Sequence, residues 1–127
     1  MNDQLTEQII GFAFKIHNQL GFGFLESVYE KALSIELNKA GISHSLQHPI
    51  KVFYENEIVG DFYADVFVEN QLILELKAIN RLSMAHEVQL VNYLVATRTD
   101  RGLLINFGPQ KVDVRRKFRQ FNPDTLV

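Results

Sequence analysis

The chain has 127 residues, 46% hydrophobic and 22% charged, with a formal net charge of −2 and no Cys. That length and balance fit one folded domain spanning residues 1–127 and exclude a disordered chain. The slightly acidic charge excludes a strongly cationic coat, and the lack of Cys excludes disulfides, thiolate metal sites and cysteine nucleophiles.

Leu5 to Leu20 reads as a helix, because Leu5, Ile9, Ala13, Ile16 and Leu20 recur at three- and four-residue steps. Gly21 and Gly23 stop it. Leu25 to Ala40 reads as a second helix with Val28, Ala32, Leu33, Ile35, Leu37 and Ala40 as apolar positions, closed by Gly41. The two are either separate or one helix broken at the glycines.

Ile50 to Tyr54, Ile58 to Val68 and Leu72 to Ala78 read as strands separated by turns at Glu55–Glu57 and Glu69–Gln71. Met84 to Thr97 is helical again, with Leu90, Val91, Leu94 and Val95 as its buried side. Leu103 to Phe107 is a short apolar strand ended by Gly108-Pro109, and Val112 to Phe118 is a last strand or an extended arm. The order is helix, antiparallel three-stranded meander, helix, strand. No apolar run approaches the roughly 18 residues of a membrane span. Met1-Asn2-Asp3-Gln4 lacks a basic leader start, so a cytoplasmic chain with no membrane partner is expected.

Several polar residues do not fit a core. Alternation puts Phe62, Ala64, Val66 and Val68 on one face of their strand and Asp61, Tyr63, Asp65 and Phe67 on the other. On the next strand Glu75 and Lys77 share a face. A three-residue turn pairs residue 68 with 72 and sets Asp65 opposite Glu75. Opposed carboxylates repel. They either lie on a solvated face with Lys77 as partner or hold a divalent cation, which suits oxygen ligands. The apolar flanks of both strands argue for a sheet covered on both faces.

His86, Gln89 and Tyr93 fall on one face of the third predicted helix, either facing a site or half exposed. Glu26, Tyr29, Glu30 and Leu33 form a stripe on the second, where Glu26 also suits the positive helix start. Lys111, Arg115, Arg116, Lys117 and Arg119 make the C-terminal segment basic, either a solvated strand or a phosphate-holding patch. Phe22, Phe24, Phe53 and Phe62 fill either a core or a homodimer seam. Gly21-x-Gly23-x-x-Glu26 lacks the last glycine of a phosphate loop and follows a helix, so no nucleotide cofactor is expected.

Gly23-Phe-Leu-Glu26-Ser-Val-Tyr29 resembles the pattern of the GxxExxY proteins, within the PD-(D/E)XK nuclease superfamily. Asp65 stands at that superfamily's metal-binding Asp, although Ala64 replaces the preceding proline. Glu75-Leu-Lys77 stands at its (D/E)-x-K, and Gln89-Leu-Val-Asn-Tyr93 matches the Q-x-x-x-Y motif of the RecB-like branch. Gly102 to Gly108 resembles the family's closing strand.

The resemblance implies an α/β restriction-endonuclease-like core, α-β-β-β-α-β, with a mixed central sheet flanked by helices. It also implies Mg²⁺- or Mn²⁺-dependent hydrolysis of nucleic acid, DNA ahead of RNA. Glu26, Asp65, Glu75 and the Leu76 backbone carbonyl would hold the ion. Lys77 would position or deprotonate the water, Gln89 and Tyr93 would orient the lysine, water or phosphate, and His86 would donate to phosphate. The competing reading is a nuclease-fold module that binds without cleaving.

Overall fold

The computed structural model describes residues 4–119. The leader reading at Met1 to Asp3 and both ends of the 1–127 domain range lie outside these residues. The described chain runs α1 (Gln4–Leu20), α2 (Glu26–Lys39), β1 (His44–Tyr54), β2 (Glu57–Val68), β3 (Leu72–Lys77), α3 (Met84–Thr97), β4 (Arg101–Phe107) and β5 (Val112–Phe118).

The strands form one five-stranded sheet in the order β1-β2-β3-β4-β5. All neighbours are antiparallel except β3 and β4, which are parallel. A parallel pair needs a crossover, and α3 supplies it. One face of the sheet carries α1 and α2, whose Ile9, Ala13, Ile16, Tyr29, Leu33 and Leu37 pack on Val66, Leu74, Leu76, Ile105 and Phe107. The other face carries α3, whose Leu90, Tyr93 and Leu94 pack with Ile50, Ala64, Ile73 and Leu104. The sheet is thus covered on both faces, as its apolar strands predict.

The glycines separate two helices: Gly21 and Gly23 have φ of +71° and +121°, outside any helix. The final segment is a full strand paired along β4. β1 starts at His44 rather than at Ile50. His44 to Gln47 shows no clean alternation, and Pro49 argues against a central strand, but β1 is an edge strand, where proline is tolerated.

Three packing expectations are corrected. Val95 is exposed while Tyr93 is buried, because α3 rests on the sheet through Leu90, Tyr93 and Leu94. Phe22, Phe24, Phe53 and Phe62 are exposed, so none of them fills the core. The even-numbered face of β2 is also not continuous. Val66 and Val68 pack under α1 and α2, whereas Ala64 packs under α3 and Phe62 lies 5.6 Å from the Tyr93 ring. The switch falls at Asp65, where the β1–β2 ladder passes from Leu46↔Val66 to His48↔Ala64, leaving Gln47 and Asp65 outside the paired register.

Candidate active site

The site begins where β2 leaves β3. The ladder pairs Val68↔Leu72, Phe67↔Ile73 and Val66↔Leu74, the register expected from a three-residue turn. Beyond it the strands are bridged by side chains. Asp65 N–H donates to Glu75 Oε2 at 2.9 Å, and Leu76 N–H donates to Asp65 Oδ2 at 2.8 Å. Asp65 and Glu75 therefore stand together, each with one oxygen committed to a backbone N–H.

Glu75 is buried, and its carboxyl is pushed up to about 8. Loss of solvent is the largest cause, followed by the like charge of Asp65; Glu26 adds to the rise and Lys77 opposes it. Glu26 and Lys77 thus act on the same carboxylate from α2 and from the end of β3. Gln89 Nε2 donates to the Tyr93 hydroxyl at 3.0 Å on α3. Burial and then the charge of Glu75 raise the Tyr93 hydroxyl above its usual value, which sets this pair beside the acids.

Glu26 owes its place to local sequence. Tyr29 donates to Gly21 O at 2.6 Å, and its ring stacks on Phe107 at 4.3 Å. That anchor holds the glycine loop against the sheet and fixes the first turn of α2, where Glu26 stands exposed. Lys77 is held from the other side. Asn106, its register partner on β4, is buried and clamps Ile79, accepting from Ile79 N–H at 3.0 Å and donating to Ile79 O at 2.9 Å.

Other expected residues lie elsewhere. His86 caps α3: Ser83 N–H donates to His86 Nδ1 at 3.0 Å. Accepting at Nδ1 puts the imidazole proton on Nε2. The basic segment is not one free patch. Lys117 pairs with Glu87 at 2.9 Å, and Arg115 pairs with Asp113 and reaches Glu87 at 3.9 Å. Arg116 instead contacts Thr6 and Glu7 of α1. Alternation along β5 sends these cations to opposite sheet faces, where helices carry the acids.

Three further residues belong to the site. Glu30 lies beyond Glu26 on α2, and burial with the nearby Asp65 charge raises its carboxyl. Gln47 Nε2 donates to Glu30 Oε1 at 2.7 Å and to Asp65 Oδ1 at 3.3 Å. Asn106 is the third. The stripe of Glu26 and Glu30 and the lone amide of the apolar β4 run were visible signs of two of them. Gln47 had none. Beside the site a largely apolar groove of about 1040 Å³ opens between α3 and the β1–β2 hairpin, with Phe62, Gln89 and Tyr93 in its wall.

Among the described residues no three His, Cys, Asp or Glu side chains close into a metal cage. The donor chemistry nonetheless fits a hard divalent cation. Asp65 N–H reaches the Glu75 carboxylate, and the like charge of Asp65, which after burial raises the Glu75 carboxyl, is what a cation relieves. No helix among the described residues is long and apolar enough to cross a membrane.

The chain resembles a solved protein, the crystal structure of SSO0001, with a TM-score of 0.60 at 14% identity. The match covers 98% of this chain but 62% of that one, and at such identity it speaks for the fold. No curated protein matches the chain. A family model of the PD-(D/E)XK nuclease superfamily matches residues 3–117, nearly the whole sequence. On that match, and with the mixed five-stranded sheet it is consistent with, the chain belongs to the PD-(D/E)XK nuclease superfamily.

Proposed function

We propose that the protein hydrolyses phosphodiester bonds of nucleic acid, DNA ahead of RNA, with Mg²⁺ or Mn²⁺. The observation that carries this reading is the Asp65–Glu75 pair, bridged side chain to backbone at the point where β2 leaves β3. Structural economy does not favour two neighbouring carboxylates, one of them buried, unless a ligand offsets their repulsion.

Asp65 and Glu75 would hold the ion, with Glu26 approaching from α2. The Leu76 carbonyl would join them, since N–H and C=O of one strand residue point the same way and its N–H already reaches Asp65. A bound divalent ion polarises phosphate and lowers the pKa of water. Lys77 would position or deprotonate a water and counter charge developing on phosphate. The Gln89–Tyr93 pair orients the lysine, the water or a phosphate oxygen from α3. His86 keeps its Nε2 proton for a phosphate oxygen while Nδ1 serves the cap. The exposed phenylalanines support the homodimer part of their reading, and a one-chain mass in solution at micromolar concentration would remove it.

The test uses purified protein with single- and double-stranded DNA and RNA, plus Mg²⁺ or Mn²⁺, beside Lys77→Ala and Asp65→Ala. Cleavage by wild type that both variants lose supports the reading; equal cleavage in all three sinks it. A second reading, a module that binds nucleic acid without cutting, has on its side that among the described residues no three acidic or imidazole side chains are preassembled into a metal cage. It predicts retained binding and no cleavage under every metal.

A further inference from the structure

Gln47 sits within β1 opposite Asp65, where the ladder skips a pair between Leu46↔Val66 and His48↔Ala64. Its backbone is left-handed, with φ of 51°, in the middle of a strand. A residue with a Cβ adopts that conformation only at a cost, and persists there where the surroundings demand it. Its side chain shows the demand. One amide nitrogen donates to Glu30 Oε1 at 2.7 Å and to Asp65 Oδ1 at 3.3 Å, tying α2, β1 and β2 together.

We propose that Gln47 is a positioning residue of the active site, whose amide fixes the Asp65 carboxylate and holds it in register with α2 through Glu30. The proposal rests on the metal-dependent reading above.

The Asp65 carboxylate is gripped at both oxygens, Oδ2 by the Leu76 N–H and Oδ1 by the Gln47 amide. Either grip alone leaves the group free to turn. Glu30 shares a helix with Glu26, so anchoring Glu30 to Asp65 also sets how Glu26 stands towards the acids of the sheet. An amide suits this task better than a cation. Lysine or arginine at this position would neutralise the carboxylates and compete with a divalent ion, whereas an amide supplies two donors and no charge. If Gln47 served only the bend of the strand, glycine would serve as well, because it takes a positive φ freely.

That contrast defines the experiment, carried out on the full chain. In the metal-free protein the Gln47 side-chain NH₂ signals are read by ¹⁵N NMR. They are expected to move on Glu30→Gln and on Asp65→Asn, and unchanged positions in both variants would overturn the bridge. Mn²⁺ affinity and melting temperature are then measured for wild type, Gln47→Gly and Gln47→Ala. Gln47→Gly is expected to melt at or above the wild-type temperature while its Mn²⁺ affinity falls about 10- to 100-fold. Gln47→Ala, which keeps the backbone cost, is expected to lose affinity as well and to melt lower. Wild-type Mn²⁺ affinity in Gln47→Gly overturns this role alone. A wild-type chain that takes up no Mn²⁺ overturns the metal reading and this role together, while the NMR arm still reads the bridge by itself.

Discussion

Asp65 N–H donates to Glu75 Oε2 across the gap between β2 and β3, and a second bond, from the Leu76 N–H to Asp65 Oδ2, closes the same gap. Main-chain ladder bonds have been exchanged for carboxylate bonds. The exchange keeps the backbone donors satisfied while it opens the sheet and brings the two acids together.

This arrangement makes stability pH-dependent. Glu75 has its carboxyl raised from 4.5 to about 8 in the folded, metal-free chain. Between those values the folded state holds a proton that the unfolded chain has released, so stability falls as pH rises. The slope has a ceiling of about 1.4 kcal/mol per pH unit for one proton. Melting curves of metal-free protein from pH 5 to 8 should show the decline, and Glu75→Gln, which imitates the protonated form, should flatten it. Mn²⁺ uptake near pH 7 should release a proton measurable by calorimetry in buffers of different ionisation enthalpy.

Tyr29 carries a hydroxyl bond to Gly21 O and a ring stacked on Phe107. Tyr29→Phe keeps the stack and loses the bond. A loss of about 1 kcal/mol in urea denaturation is expected. Faster amide exchange should be confined to the loop before Glu26. Exchange that speeds up over the whole sheet would contradict a local anchor.

Gly23 and Gly11 offer a matched pair. A Cβ added at either position meets nothing within 4 Å, but only Gly23 has a positive φ, +121°. Gly23→Ala is expected to cost about 1–3 kcal/mol through backbone strain alone. Gly11→Ala, inside α1, is expected to add roughly 0.5–1 kcal/mol. Denaturation midpoints moving in the same direction would refute the conformational account of Gly23.

Asn106 uses both ends of its amide on the backbone of Ile79, just past Lys77. Asn106→Leu keeps a similar volume and strands the Ile79 N–H and C=O. A stability loss of about 2 kcal/mol is expected. Cleavage should slow roughly tenfold or more, because Lys77 loses the support of the chain that follows it. Full cleavage by a destabilised Asn106→Leu would show that Lys77 is held by β3 alone.

Much of this molecule was legible in the residue order. Periodicity marked the helices, and the apolar alternation of β2 and β3 set a register that the structure carries as Val68↔Leu72. That register sets Asp65 opposite Glu75 from the residue order alone. These features depend on neighbours a few residues apart, and local spacing encodes them directly.

The remainder depends on contacts between distant segments. Strand alternation assumes an unbroken pleat, so it could not show β2 changing faces at Asp65, which is tied to the left-handed turn of Gln47 on another strand. The basic run of β5 was a set of charges in sequence, and Asp113 on the same strand, Glu87 on α3 and Glu7 on α1 neutralise it in space. Glu30 and Gln47 gain their meaning in the same way, through a hydrogen bond that links α2 to β1. The sequence alone determined the regular elements and, where the pleat of a strand runs unbroken, which of its residues share a face. The tertiary structure decided which charges meet, because an ion pair or a bridging amide is fixed by distance in space and leaves no period along the chain.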